Sequence, residues 1–180
     1  MASGARAQYE NIWRGLLAPL LAEARTWSLR DFHSPNLLWL PEREGARRIG
    51  LLDFQDCVLG PPAYDVVSLL QDARVDVPDD LELKLLGHYA RARKQAQPEF
   101  DMAAFACAYA LMGAQRSSKI LGIFARLDKR DGKPNYLAHI PRVKNYLRKN
   151  LGHPVMADLK NWFDAAMPQI FANEDQEAAT

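Results

Sequence analysis

Residues Ser28 to Asp65, SLRDFHSPNLLWLPEREGARRIGLLDFQDCVLGPPAYD, decide the fold. Two short apolar runs lie inside it, Asn36-Leu37-Leu38-Trp39-Leu40 and Ile49-Gly50-Leu51-Leu52-Asp53-Phe54. The polar segment Pro41–Arg48 separates them, with a proline at its start and a glycine inside. Short apolar runs bounded by turn residues predict a β-hairpin with a longer loop. Antiparallel pairing around that loop sets the start of the first strand beside the end of the second, so Asn36 comes next to Asp53. Upstream, Arg30-Asp31-Phe32-His33-Ser34-Pro35 reads as an irregular loop, because Ser34 precedes a proline and is pushed out of the helical region. Asp31 therefore hangs near the same point.

An aspartate that can orient a hydroxyl, with an asparagine and a second aspartate offering hard oxygens to a cation, is the equipment of magnesium-assisted phosphoryl transfer. Asp31 and Asn36 have the D-x-x-x-x-N interval of a kinase catalytic loop, and Asp53-Phe54-Gln55 stands where a D-F-G would stand. On these residues the chain resembles the C-terminal lobe of the aminoglycoside phosphotransferase and choline kinase group of the protein-kinase-like superfamily. Within that group, DFHSPNLLWL, IGLLDFQD and GPPAYDVVSLL are most similar to bacterial N-acetylmuramate/N-acetylglucosamine anomeric sugar kinases. They are also similar to phosphotransferase domains fused in some bacteria to a tRNA-modification ATPase. The similarity runs from about Trp13 to Trp162.

The resemblance implies a mainly α (α+β) fold, with helices around one small β-hairpin that carries the catalytic loop. It implies a single domain over residues 1–180, with a catalytic core at 28–72 and a helical subdomain at 78–171. Asp31 would be the catalytic base, and Asn36 and Asp53 would bind the cofactor, magnesium with ATP. His33, Asp56, Arg116 and Lys119 are the substrate-side candidates, for a sugar or amino sugar. Two departures stand out. The histidine usual two residues before the catalytic aspartate is Leu29, which could pack in its place. Nothing like a nucleotide-binding lobe precedes Asp31: no glycine-rich loop, strand lysine or helix glutamate is present. An apolar cleft floor at Leu37, Leu38 and Leu51 to Phe54 would then be uncovered and favour self-association.

Composition fits a soluble globular chain: 180 residues, 48% hydrophobic and 25% charged. A net charge of +1 gives no sign of a nucleic-acid or anionic-membrane partner. Cys57 and Cys107 make no disulfide framework, and no segment reads as a membrane span, which together place the chain in the cytoplasm. His33, His88, His139 and His153 contain no pair at zinc-ligand spacing, and there is no Walker A loop, nucleophile elbow or zincin motif.

Helices are expected at Tyr9 to Ala24, kinked or divided by Pro19, at Tyr64 to Asp72, from Pro78 to about Gln95, and from Pro98 to about Leu127. A charged turn at Lys129 to Asn135 precedes two more, His139 to Leu151 and Val155 to Phe171, and a polar tail from Ala172 is expected to fray. At about 100° per residue, Arg116, Lys119 and Arg126 fall within roughly 80° of one another, a cationic stripe that either faces an acidic acceptor or is a solvated helix face. Asp65, near a helix start, is either a cap or a support for the catalytic loop. The leading functional reading is a phosphotransferase catalytic lobe. Beside it stand a non-catalytic interaction module with the lobe's fold, and a fragment of a full kinase.

Overall fold

Proline and glycine punctuation divides the chain much as the sequence predicts. The computed structural model describes residues 3–22 and 25–171, and the tail from Ala172 lies outside them. Six α-helices are seen there: α1 (Ser3–Ala22), α2 (Ala63–Leu70), α3 (Asp79–Ala96), α4 (Met102–Asp131), α5 (Ile140–Leu151) and α6 (Ala157–Ala166). Four three-residue strands accompany them: β1 (Thr26–Ser28), β2 (Leu37–Trp39), β3 (Ile49–Leu51) and β4 (Val58–Gly60). The mainly helical expectation holds. Among the described residues no helix is long and apolar enough to cross a membrane.

The predicted hairpin is β2–β3, antiparallel, with Leu37 opposite Leu51 and Trp39 opposite Ile49. Leu40 N donates to Arg48 O at 2.8 Å and Leu52 N to Asn36 O at 2.9 Å, so the pairing extends past both ends of the ladder. A second antiparallel ladder, β1–β4, pairs Ser28 with Val58 and Thr26 with Gly60. It ties together the two ends of the segment that holds the loop and the hairpin. The sequence suggests a brief strand at Trp27 to Leu29 leading into the loop, close to the observed β1, but gives little sign of its partner β4. Each strand is three residues long, and Trp27 and Leu59 point to solvent at 72% and 59% exposure, so no buried stripe betrays them.

Several boundaries move, for physical reasons. α1 already includes Ser3, well before the expected start at Tyr9, and runs undivided through Pro19 to Ala22, the missing N–H of Pro19 forfeiting a single backbone bond; the expected end at Ala24 lies outside the described residues. α4 starts at Met102 rather than Pro98 and continues to Asp131, absorbing part of the expected charged turn. Lys129 and Arg130 there complement the helix dipole, and Gly132, at φ 61°, closes the helix with its N–H on Asp128 O. The last expected helix is shorter, α6 flanked by 3₁₀ turns at Pro154–Met156 and Pro168–Ile170.

The chain forms two compact units, and the boundary between them falls within α4 after Met112. In residues 23–112, Val67 and Leu70 of α2 and Phe105, Tyr109 and Leu111 of α4 are buried. The buried Glu82 of α3 accepts from Gln71 Nε2 at 3.0 Å and Tyr109 Oη at 2.8 Å, both on Oε1, so this polar side chain is hydrogen-bonded inside the core. In residues 1–22 with 113–180, Tyr9 of α1 packs on Trp162 of α6 with ring centroids 4.6 Å apart, and Trp162 Nε1 donates to Ala5 O at 2.9 Å. Leu147, Met156 and Leu159 are fully buried beside them. Gly113 is required where it stands: a Cβ there would collide with the Asn150 amide, which is itself buried and donating to Tyr146 O.

Asp101 caps α4, its Oδ1 accepting from Ala103 N at 2.8 Å and Ala104 N at 2.9 Å. The Ala104 amide first, then that of Ala103, hold the carboxyl below the usual aspartate value. A carboxyl depressed in the folded state adds stability above its unfolded pKa and loses it as pH falls through the folded one. Asp101→Ala is therefore expected to lower the melting temperature at neutral pH, with the gap closing on acidification. Asp101→Asn should keep the cap across the range. Thermal unfolding followed by circular dichroism from pH 7 to pH 2 measures both.

Candidate active site

The catalytic-loop candidate is held from behind by α2. Asp65, in the first turn of that helix, accepts three hydrogen bonds, from Ser28 Oγ at 3.1 Å, Leu29 N at 2.6 Å and Arg30 N at 3.1 Å. No side-chain cap is made at the helix start, so Asp65 supports the loop and does not cap its own helix. Seven residues on, the buried Asp72 accepts from Ser34 N at 3.0 Å and from Arg74 N at 2.8 Å. These two carboxylates bracket the segment 28–34. The sequence reading weighed Asp65 and missed Asp72, although a spacing of seven sets two residues nearly above one another on a helical course.

Held in this way, the backbone takes up a conformation it would otherwise avoid. Arg30 lies at φ 68° and Asp53 at φ 57°, and among the described residues these are the only non-glycine residues with positive φ. Left-handed backbone is costly for residues with a Cβ and clusters where a structure must aim a side chain. One of the two immediately precedes Asp31, and the other is Asp53.

Two hydrogen bonds link Asp31 to Asn36 and Asn36 to the chain just before Asp53. Asn36 Nδ2 donates to Asp31 O at 3.0 Å, and Asn36 O accepts from Leu52 N at 2.9 Å, the residue before Asp53. Because the Asn36 amide nitrogen is committed to Asp31, its Oδ1 is turned away from that bond. The carboxylate of Asp31 is exposed and has no protein partner among the described residues. Asp53 is exposed as well, with Oδ1 accepting from Gln55 Nε2 at 2.8 Å. A set of hard oxygens unclaimed by the protein suits magnesium, which keeps several waters and uses one or two carboxylates plus phosphate oxygens. Among the described residues there is no group of three or more His, Cys, Asp or Glu that could hold a metal ion.

The substrate-side candidates fall in different settings. His33 is buried, its Nε2 3.3 Å from Arg74 Nη1, a position within the loop's packing. Asp56 is exposed in the turn that Cys57 N closes on Phe54 O. Arg116 and Lys119 belong to the other compact unit, Arg116 buried and Lys119 exposed, so the first two members of the expected stripe do not share one environment. Leu29, in the place of the usual histidine, is half-buried and anchored through its backbone N–H on Asp65. Around the hairpin, Leu38, Leu51, Leu52 and Phe54 are all more than two-fifths exposed.

The sequence model of a family described as "Phosphotransferase enzyme family" matches residues 2–109, a span that contains the whole loop and hairpin. An N-acetylmuramate/N-acetylglucosamine kinase of Caulobacter vibrioides is 47% identical over 166 residues, covering 92% of this chain and 45% of the relative. The protein of the same name from Neisseria meningitidis serogroup B is 45% identical over 138 residues, 74% of this chain and 39% of the relative. That of Pseudomonas putida is 36% identical over 159 residues, 86% of this chain and 45% of the relative. The chain thus spans less than half the length of the curated relatives it matches.

Replacing Asp65 strands two backbone amides and a hydroxyl at a left-handed turn. Asp65→Ala is expected to cost on the order of 2–3 kcal/mol in urea unfolding. Amide exchange at Leu29 and Arg30 should accelerate selectively. Unchanged protection at those two amides would show that the loop holds its shape without the carboxylate.

Proposed function

Because this chain belongs to the phosphotransferase enzyme family, we propose that it is the catalytic lobe of a small-molecule kinase that moves the γ-phosphoryl group of ATP to a hydroxyl of N-acetylmuramate or N-acetylglucosamine. The observation that supports this reading most is the pair of left-handed residues, Arg30 and Asp53, bracketing a hydrogen-bonded Asp31, Asn36 and Leu52. The acceptor is that of the relatives, which are named N-acetylmuramate/N-acetylglucosamine kinases. ATP as donor is consistent with a cytoplasmic setting.

Asp31 accepts a hydrogen bond from the acceptor hydroxyl, aligns its oxygen with the γ-phosphorus and takes the proton as the new O–P bond forms and the bond to ADP breaks. Asn36 Oδ1 and Asp53 are the groups that would hold magnesium. Bound there, it would supply positive charge to offset the charge that develops on the transferring phosphoryl group. Most of the catalytic effect in such chemistry comes from positioning and charge stabilisation, which is why the rigidity that Asp65 and Asp72 impose on the loop matters.

In a protein that joins this chain to a nucleotide-binding lobe, Asp31→Ala should lower kcat by about 10²–10⁴-fold while leaving thermal unfolding nearly unchanged. ADP release with N-acetylmuramate, N-acetylglucosamine, then aminoglycosides and choline as acceptors measures the loss and ranks the substrates. Turnover near the unmutated level would place the base elsewhere. The 180-residue chain alone is expected to bind Mg-ATP weakly and to self-associate through the exposed hairpin residues Leu38, Leu51, Leu52 and Phe54. Calorimetry and light scattering on one sample test both, and micromolar ATP binding by a monomer would contradict the expectation.

A further inference from the structure

In the unit formed by residues 1–22 and 113–180, helices α1, α4, α5 and α6 line an open cavity of about 620 Å³. Its wall is built from Tyr9, Leu121, Ala125, Ile140, Trp162 and Phe163. A volume of this size lies within the roughly 300–1,000 Å³ of small-molecule sites, and a mostly apolar lining with a few polar groups is their usual make-up. Three features define what would fit. Arg6 and Glu10, at the rim, neutralise each other through a 2.8 Å bond. Lys144, also on the wall, has no ion-pair partner among the described residues. Ser118 places a buried hydroxyl oxygen, with no hydrogen-bond partner, at the same cavity.

We propose that this cavity is a binding site for a monocarboxylate with an apolar alkyl or aryl tail. The tail would lie against Tyr9, Trp162 and Phe163, and the carboxylate would meet the Lys144 ammonium and accept the Ser118 hydroxyl proton in a hydrogen bond. One lysine and one hydroxyl match a single negative charge. A phosphate ester would call for more cationic donors, such as an arginine fork, and Arg6 is already engaged by Glu10. The site's chemistry differs from that of the proposed sugar acceptor, whose hydroxyls would be left unpaired against these apolar walls.

Gly122 supplies the means of testing this. It lines the cavity, and a Cβ built on it meets nothing within 4 Å, so a side chain can start there without a clash, and Gly122→Leu adds apolar bulk at the cavity while raising helix propensity. Calorimetric titration of the 180-residue chain with octanoate and, separately, 1-octanol reads tail and charge independently. The unmodified chain should bind octanoate about tenfold more tightly than octanol, a preference that a partly desolvated ion pair with hydrogen bonding can supply. Lys144→Met should remove that preference and leave octanol affinity unchanged. Gly122→Leu should weaken both ligands by about tenfold or more, with a melting temperature no lower than before. Absence of octanoate binding, equal affinity for the two ligands in the unmodified chain, a preference that survives Lys144→Met, or binding indifferent to Gly122→Leu would each overturn the assignment.

Discussion

The candidate site depends on one carboxylate. Asp65 takes two consecutive backbone amides and a serine hydroxyl, and that set of bonds holds Arg30 in left-handed backbone immediately before Asp31. Without such a partner, Arg30 would relax toward the broad allowed regions and Asp31 would swing with it. α2 is thus the brace of the loop: it contributes Asp65 from its first turn, and the chain just past its end contributes Asp72 to the Ser34 amide. The β1–β4 ladder adds a second constraint by joining the chain before the loop to the chain after the hairpin.

The hairpin, Asn36 and Asp53 could be read from the sequence because each rests on local chemistry. Apolar runs, a proline-started turn and antiparallel geometry are enough to place Asn36 beside the end of the second strand. The braces could not be read so easily. Asp65 and Ser28 are far apart in sequence, and only the folded chain shows that the carboxylate turns to the loop and not to its own helix. The β1–β4 ladder was hidden for a related reason, since its strands are short and carry exposed apolar side chains where burial would have marked them. Helix boundaries slipped where capping outweighed the proline signal: Pro98 suggested the start of α4, while Asp101 sets it. A helical wheel gives angles and not depth, so it could not show that Arg116 is buried while Lys119 is exposed.

The residues that a metal would use are left open by the protein's own hydrogen bonding. The Asn36 amide nitrogen is spent on Asp31 O, which orients its oxygen; Gln55 holds one oxygen of Asp53; the Asp31 carboxylate is left to solvent. Buried polar groups are normally paired, so a cluster of unclaimed oxygens at strained backbone invites a ligand, and an exposed one can wait in water at little cost. On the proposed reading, half of the charge compensation for a nucleotide lies here, and the rest must come from groups that close over the phosphates.

Manganese titration followed by paramagnetic broadening of backbone amides tests the central claim most directly, since the ion replaces magnesium and reports its own position. The account predicts that broadening begins at Asn36 and Asp53, extends to Asp31, and disappears in Asp53→Ala with the fold intact. Broadening centred on the acidic start of α3 at Asp79 and Asp80, or persisting at Asn36 after Asp53→Ala, would contradict it.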